Sequence, residues 1–278
     1  MKLEAIDLVR GDRPLPMLSD VYQQFNACLD KPGATALDFS EILSKDPVLT
    51  LKVLKLVNSA YYGLRSQVDN VAQAVTIVGL NELRDLVLSV CVMEFFDGLP
   101  EELASLKDFW RHSVLCSLIA KKLQKASSLK LSESMFTAGL LHDVGSLIIL
   151  LRMPEIAKGV LDRAVRQNAD IYLLEQQELG FDHADVSGAL IEHWGLPEFL
   201  IEVCRAHHQP VKTARFTIEA RFLYLCDLFA YDLLNGVTAQ TLADKHKDNE
   251  YGLSASLISQ ALSDASEELN SVLKSLIH

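Results

Sequence analysis

The chain consists of short segments with the 3.6-residue periodicity of amphipathic helices, and sustained period-2 alternation flanked by hairpin turns is missing from the sequence. In DPVLTLKVLKLVNSA, apolar residues recur every three or four positions behind Asp46, a suitable N-cap, and Pro47, a suitable first helical residue. In VAQAVTIVGLNELRDLVLSV, Gly79 is predicted to end one helix and Asn81 to cap the next. We therefore predict an all-α fold with no sheet of more than two short strands.

The length of 278 residues, 49% of them hydrophobic, allows one large domain or two modest ones. The loop FDGLPEE contains Gly98 and Pro100 and is the best boundary. We predict an N-terminal helical module over residues 1–97, a second helical domain over 98–236 and a C-terminal helical extension over 237–278. Helices in the second domain are predicted around residues 105–126, 132–152, 154–168, 183–194, 197–208 and 214–235.

The net charge and the cysteine pattern restrict the cellular compartment and the class of binding partner that can be expected. A formal net charge of −11 repels phosphate backbones, so nucleic acid is not an expected partner. The five cysteines are far apart and form no CxxC pair, which favours a reducing compartment. The N-terminus lacks the apolar stretch of a signal peptide, and we identify no membrane-spanning segment in the sequence. We expect a cytoplasmic protein without membrane contact.

Histidines are concentrated in the second half of the chain, where six of the eight lie between residues 112 and 208. His112 shares an apolar helical stripe and should point inward, with Asp108 one turn earlier on the same face. His183 follows Asp182, a suitable N-cap, and also falls on an inward face. Asp227 lies inside the apolar segment RFLYLCDLFAYD, where an ionised carboxylate needs a partner.

The adjacent residues His142 and Asp143 can reach one ion only near a kink or an end of a helix, because neighbouring helical side chains diverge by about 100°. Gly145 makes such a kink plausible. The doublet His207 and His208 comes just before Pro210, at a helix end.

Each of these residues also has a purely structural interpretation. A single inward histidine is usually a hydrogen-bonded core residue, Asp227 alone fits a surface acid on a helix rotated differently, and a histidine doublet is favoured at a helix C-terminus by the helix dipole. Together, however, five imidazoles and two or three carboxylates provide nitrogen and oxygen donors without thiolates, in numbers sufficient for two ions. The set predicts a divalent transition metal, namely Fe, Mn or Zn.

The sequence resembles the HDOD (HD-related output domain) family over roughly residues 15–235. The resemblance lies in ILSKDPVLTLKVLKLVNSAYYGLRSQ, WRHS, GLLHDVG, DHADVSGALIEHWGLP and AHHQP, which occur in that order. It implies a multi-helix HD-like bundle related to the HD-superfamily metal-dependent phosphohydrolases. By their motif, the metal ligands here would be His112, His142, Asp143 and Asp227.

The related HD-GYP cyclic-dinucleotide phosphodiesterases use further ligands, and the matching residues in this chain are Asp108, His183, His207 and His208. The HD-GYP pattern has Glu where Asp108 stands. Two more departures concern catalysis: Ser146 replaces the lysine that follows the doublet in the hydrolases, and the Glu and the Gly-Tyr-Pro loop are missing after His208. The Ser146 difference removes a cation suited to a substrate phosphate.

Two functions remain open from the sequence. The resemblance implies a bacterial signal-transduction module that binds metal with little or no catalysis, and its partner would be a protein of a signalling pathway or a phosphate-containing small molecule. The alternative is a metal-dependent phosphohydrolase of the phosphodiesterase type, with His142 and Asp143 as catalytic residues and Asp143 bridging two ions. The sequence is compatible with an enzyme and with a module that does not catalyse a reaction.

Overall fold

The computed structural model describes residues 3–11, 15, 17–59, 61–97 and 106–277, and every regular element within these ranges is helical. The predicted all-α fold is confirmed. The first helices are α1 (Ala5–Arg10), α2 (Asp20–Leu29), α3 (Ala36–Ser44), α4 (Pro47–Val57), α5 (Val71–Val78) and α6 (Leu80–Phe95). They are followed by α7 (Leu106–Ala126), α8 (Met135–Leu141), α9 (Val144–Arg152), α10 (Pro154–Gln167), α11 (Ile171–Leu179), α12 (His183–His193), α13 (Glu198–Ala206), α14 (Thr217–Leu234), α15 (Ala239–Lys245) and α16 (Ala255–Ile277).

The chain divides into two compact units, and each unit is made of two segments that are distant in sequence. The first unit comprises Met1–Met17 and Gly98–Leu262, and the second comprises Leu18–Asp97 and Ser263–His278. The sequence-based division placed residues 1–17 in the N-terminal module and treated 237–278 as a separate extension. In the structure, residues 1–17 belong to the first unit. Residues 237–262 belong to the first unit and residues 263–278 to the second.

The second unit is formed by α2–α6 and the later part of α16, and its apolar core includes the contacting rings of Phe25 and Phe39. The Asp46 carboxylate accepts hydrogen bonds from the amides of Val48 and Leu49 at 3.1 and 2.9 Å, as its predicted role as N-cap requires.

The predicted cap Asn81 is wrong, because α6 begins at Leu80 and Asn81 lies inside its first turn. Gly79 ends α5 and precedes α6 directly, with φ at +86°. A left-handed φ is accessible to glycine without strain, so one residue makes the whole turn and leaves no separate capping position.

The first unit is centred on α8 and α9. Helix α8 packs against α7, α13 and α14, while α9 packs against α10 and α12. The single helix predicted for residues 132–152 is therefore wrong: α8 ends at Leu141, α9 begins at Val144, and His142 and Asp143 lie at the interruption. This interruption is the kink that His142 and Asp143 need if both side chains are to reach one ion.

By length and composition, Met135–Arg152 is a candidate membrane span within the described residues. However, 78% of it is buried inside the fold, and the helix is interrupted in the middle. A core helix of a globular protein passes the same test, so the stretch is weak evidence for a membrane span.

Two glycines allow the helices of the first unit to approach closely. A Cβ atom on Gly145 would lie 2.1 Å from the carbonyl oxygen of His183 and 2.5 Å from the amide nitrogen of Ser187. A Cβ atom on Gly139 would lie 2.7 Å from the Cα atom of Ser117. The two helices that flank the His142–Asp143 interruption therefore pack directly against the backbone of a neighbouring helix. Helix α8 packs against α7 in this way, and α9 packs against α12.

Candidate metal centre

Histidine and aspartate side chains converge inside the first unit from the ends and interiors of several helices. Within each of two groups, the donor atoms lie no more than 4.8 Å apart. We define the first ligand group as His112 of α7, His142 at the α8–α9 interruption and Asp227 of α14. We define the second ligand group as Asp143 at the same interruption, His183 at the start of α12, and His207 and His208 just after α13.

The first ligand group is centred on the carboxylate of Asp227. Its Oδ1 lies 3.0 Å from Nε2 of His112 and 3.6 Å from Nε2 of His142. Two histidine nitrogens and one carboxylate oxygen thus face one point. Borderline transition metals accept such a set of donors.

The carboxylate of Asp143 faces both groups. Its Oδ2 lies 3.3 Å from Nε2 of His142 and 3.8 Å from Nε2 of His112. Its Oδ1 lies 3.3 Å from Nε2 of His183 and 3.5 Å from Nε2 of His207. One oxygen is therefore directed to each ligand group, which is the arrangement that a carboxylate bridging two ions needs.

Backbone carbonyls fix the orientation of two of the imidazoles. His142 donates from Nδ1 to the carbonyl oxygen of Gly139 at 2.8 Å, and His207 donates from Nδ1 to that of Cys204 at 2.7 Å. In each case the carbonyl is three residues earlier, at the end of the preceding helix. Because Nδ1 must be the donor to a carbonyl, Nε2 is the nitrogen that points to the site, and its lone pair becomes available to a metal ion when Nε2 carries no proton.

Several of these donors are buried polar atoms that form no hydrogen bond within the described part of the chain. They include Nε2 of His142, Nε2 of His207 and Oδ1 of Asp143. Unsatisfied buried polar atoms are rare in proteins and costly. Three such atoms directed to one another, together with the absence of a thiolate among the donors, fit a divalent transition metal.

The charges of the site are strongly coupled. Burial disfavours the protonated form of His142, yet Asp143 and Asp227 raise its pKa to about 10. Burial also opposes ionisation of the two carboxyls, but the neighbouring histidines hold the pKa of Asp143 and of Asp227 well below the usual range. Burial and then the charges of His207 and His183 lower the pKa of His208. The protein alone therefore balances its carboxylates with protons on imidazoles, and a metal ion would displace those protons.

The site is open on one side. The side chains of His142 and His207 are fully buried, whereas those of His112, Asp227 and Asp143 are exposed by 18%, 14% and 22%. Solvent thus reaches the ligand groups at His112 and at the two carboxylates.

A family model for the HDOD domain matches residues 15–210. The chain belongs to the HDOD domain family. The family assignment and the all-helical fold agree with the resemblance identified in the sequence.

Two solved structures and one further sequence are similar to this HDOD protein. A protein of Shewanella amazonensis SB2B, provisionally named a phosphohydrolase, is 25% identical with a TM-score of 0.79, covering 98% of each chain. A protein of Marinobacter aquaeolei VT8, provisionally named a signal transduction protein, is 21% identical with a TM-score of 0.72, covering 99% of this chain and 64% of the other. An uncharacterized protein of Treponema pallidum (strain Nichols) is 27% identical over 195 residues, which are 70% of this chain and 37% of that relative. The chain therefore spans little more than a third of the length of the Treponema relative.

The structure brings together all the residues predicted as ligands except Asp108. That residue is exposed in the first turn of α7 and belongs to neither ligand group of this HDOD protein. Ser146, at the position of the hydrolase lysine, lies half-buried in the first turn of α9, and its amide bonds to the carbonyl oxygen of Asp143 at 2.9 Å. In the described part of the chain, the ion-pairing partners of Asp143 and Asp227 are histidines.

Sequence reasoning missed helix α11 and with it two residues that contact the ligands. Glu175 is buried and accepts a hydrogen bond from Nδ1 of His183 at 2.6 Å. The ring of Tyr172 stacks on that of His208, with centroids 4.4 Å apart and planes inclined by 13°. The segment IYLLEQQEL has four apolar or aromatic residues in a row at its start and one leucine at its end, without a clear stripe, so its periodicity did not indicate a helix.

Proposed function

We propose that this HDOD protein is a bacterial, cytoplasmic signal-transduction protein whose histidine–aspartate centre binds two divalent transition metal ions and hydrolyses phosphodiesters slowly or not at all. The family assignment and the name of the Marinobacter structure support the signalling role. The protein's output would be contact with a protein of the signalling pathway or with a phosphate-containing small molecule.

A single observation supports the metal centre most strongly, namely the position of Asp143 between the two ligand groups. Its two oxygens face separate pairs of imidazole nitrogens at distances of 3.3–3.8 Å. Ions of Fe, Mn or Zn match these nitrogen and oxygen donors, whereas Ca²⁺ prefers shells made of oxygen alone.

The expectation of weak hydrolysis rests on the residue at position 146. Ser146 occupies the position where the resemblance to the hydrolases calls for lysine, and a serine hydroxyl cannot balance the charge that develops on a phosphoryl oxygen. The imidazoles cannot replace that lysine when they ligate ions, because they are then neutral.

A second candidate function is a metal-dependent phosphohydrolase. The open side of the site favours it, since Asp143 and Asp227 are partly exposed where a phosphate would enter. The name of the Shewanella structure points in the same direction. Bound metal would supply Lewis-acid activation of water and of a phosphoryl oxygen. The chain itself would contribute Asp143 to hold both ions together and His142, oriented by the Gly139 carbonyl, as a fixed ligand.

The two functions are separated by measuring metal content and turnover on the same preparations. Purified protein is analysed for bound Fe, Mn and Zn by elemental analysis and is assayed with bis(p-nitrophenyl) phosphate and with a cyclic dinucleotide. His142→Ala removes a ligand, and His246→Gln, outside both ligand groups, is the matched control.

We expect metal in the wild-type protein and in the control, a loss of metal in His142→Ala, and negligible turnover in all three. Robust hydrolysis by the wild-type protein that His142→Ala abolishes would make phosphohydrolase the function. Wild-type protein that binds none of these metals even on reconstitution would refute the metal centre.

A further inference from the structure

We infer that helix α11 is a positioning element for the second ligand group: Glu175 orients His183 and Tyr172 orients His208, so that α11 sets the affinity for one of the two ions and not for the other. This inference rests on the proposed metal centre. It concerns residues that do not themselves face an ion.

The histidines of the two ligand groups differ in how they are anchored. His142 and His207 are held by carbonyl oxygens of their own preceding helices, Gly139 and Cys204. His183 begins α12 and therefore has no preceding turn of its own helix to provide such a carbonyl. Its Nδ1 is bonded instead to Glu175 of α11.

The Glu175 carboxylate holds His183 at two points. One oxygen, Oε2, accepts from Nδ1 at 2.6 Å and from the backbone amide of His183 at 2.8 Å, and both side chains are only 6% exposed. The bond to Nδ1 directs Nε2 to the site, where it lies 3.3 Å from Oδ1 of Asp143. A carboxylate behind a histidine in this way fixes the ring and makes it a better metal donor.

Tyr172 lies one helical turn before Glu175, on the same face of α11. Its ring stacks on His208, whose Nδ1 is buried and makes no hydrogen bond to the described residues. His208 thus lacks the carbonyl anchor of its neighbour His207. Its Nε2 is hydrogen-bonded to Nε2 of His183 at 2.8 Å, and its ring also contacts that of His207. Stacking on Tyr172 is the contact by which α11 keeps the ring turned to the second ligand group.

The test uses Zn²⁺ alone as the probe, with stoichiometry from elemental analysis and affinity from calorimetric titration. It is run on the full chain and, to isolate the second ligand group, in a His112→Ala background. The variants are Glu175→Ala, Glu175→Gln and Tyr172→Ala. The matched control is Glu178→Gln on the same helix, because Glu178 pairs with Arg163 at the surface and lies away from the ligands.

We expect the wild-type chain to bind about two Zn²⁺ and the Glu175→Ala chain to bind the second ion roughly 10–100-fold more weakly, with the first ion unchanged. Glu175→Gln should recover part of the affinity, because its amide oxygen still accepts from Nδ1 of His183. Tyr172→Ala should weaken the same ion, and the control should behave as wild type. In ¹⁵N-histidine spectra of the Zn²⁺-loaded protein, the His183 Nδ1–H signal should be present in wild type and in Glu175→Gln and lost in Glu175→Ala.

The outcomes distinguish this inference from the proposal on which it rests. Wild-type affinity for both ions in Glu175→Ala and Tyr172→Ala would overturn the positioning role and leave the metal centre intact. Equal weakening of both ions in folded variants, with no recovery in Glu175→Gln, would overturn it too, since it would show a purely structural role. Should Glu175→Ala fail to fold, Glu175→Gln and the half-buried Tyr172→Ala decide by the same criteria. Wild-type chain that binds no Zn²⁺ would refute the metal centre itself.

Discussion

Replacing Gly145 by alanine should destabilise the first unit by about 1.5–4.5 kcal/mol, because α9 and α12 touch backbone to backbone at this residue. The new Cβ atom would lie 2.1 Å from the carbonyl oxygen of His183, whereas ordinary contacts are 3.4–4 Å, so the two helices must separate by roughly 1.3 Å. Such overpacking costs about 1–3 kcal/mol. The separation also breaks the 2.8 Å hydrogen bond from the Gly145 amide to Oγ of Ser187, worth about 0.5–1.5 kcal/mol.

Tryptophan fluorescence during urea unfolding measures this change in the relevant unit. The only two tryptophans of the chain, Trp110 and Trp194, are both buried in the first unit. The matched control is Gly159→Ala in α10, where a Cβ atom meets nothing within 4 Å. Alanine is the better helix former, so the control should be about 0.5–1 kcal/mol more stable than wild type.

A Gly145→Ala protein that unfolds at the wild-type urea concentration would refute the close packing of α9 against α12. The same variant should also bind Zn²⁺ more weakly, since the forced movement shifts His183 away from Asp143. Unchanged Zn²⁺ affinity in a clearly destabilised protein would show that the ligands tolerate the shift.

Three further predictions concern the metal centre. Asp143→Ala should lose most of both ions by elemental analysis, whereas Asp108→Ala should keep both; loss of metal in the latter would place Asp108 at the site. The raised pKa of His142 means that its proton stabilises the metal-free protein fully below about pH 6.5, a contribution lost as the pH rises towards 10. Because Zn²⁺ competes with that proton, the Zn²⁺-induced rise in Tm should grow from about pH 6 to about pH 9 in scanning fluorimetry, and a constant or falling rise would contradict this. Ser146→Lys should not by itself produce cyclic-dinucleotide hydrolysis in a chromatographic assay, because the loop after His208 also differs from the HD-GYP pattern.

Local features of the fold could be predicted from the sequence because their causes are local. Asp46 caps α4 and Asp182 caps α12, and in each case the bonded amides are two or three residues away. The convergence of histidines could be inferred since several inward imidazoles within one apolar core have few ways to be satisfied other than together.

Features that depend on contacts distant in sequence could not be predicted. Glu175 and Glu178 look alike in the segment IYLLEQQEL, yet one is buried against His183 and the other pairs with Arg163 at the surface. Only the packing of α11 against α12 distinguishes them. The sequence indicated that a kink was needed near His142 and Asp143 but not that the helix stops there, because the apolar residues on both sides continue one helical pattern.

The two glycines around the doublet connect the packing of the first unit to its chemistry. Gly139 lies three residues before His142 and contacts the backbone of α7, the helix of His112, while Gly145 lies two residues after Asp143 and contacts the backbone at His183. The doublet is thus fixed between α7 and α12. Helix α7 provides His112 to the first ligand group, and α12 provides His183 to the second. With no side chain at either contact, the spacing between ligands is set by backbone against backbone, which adjusts less than flexible side chains do. The residues that determine the proposed metal site therefore include two glycines that no ion would touch.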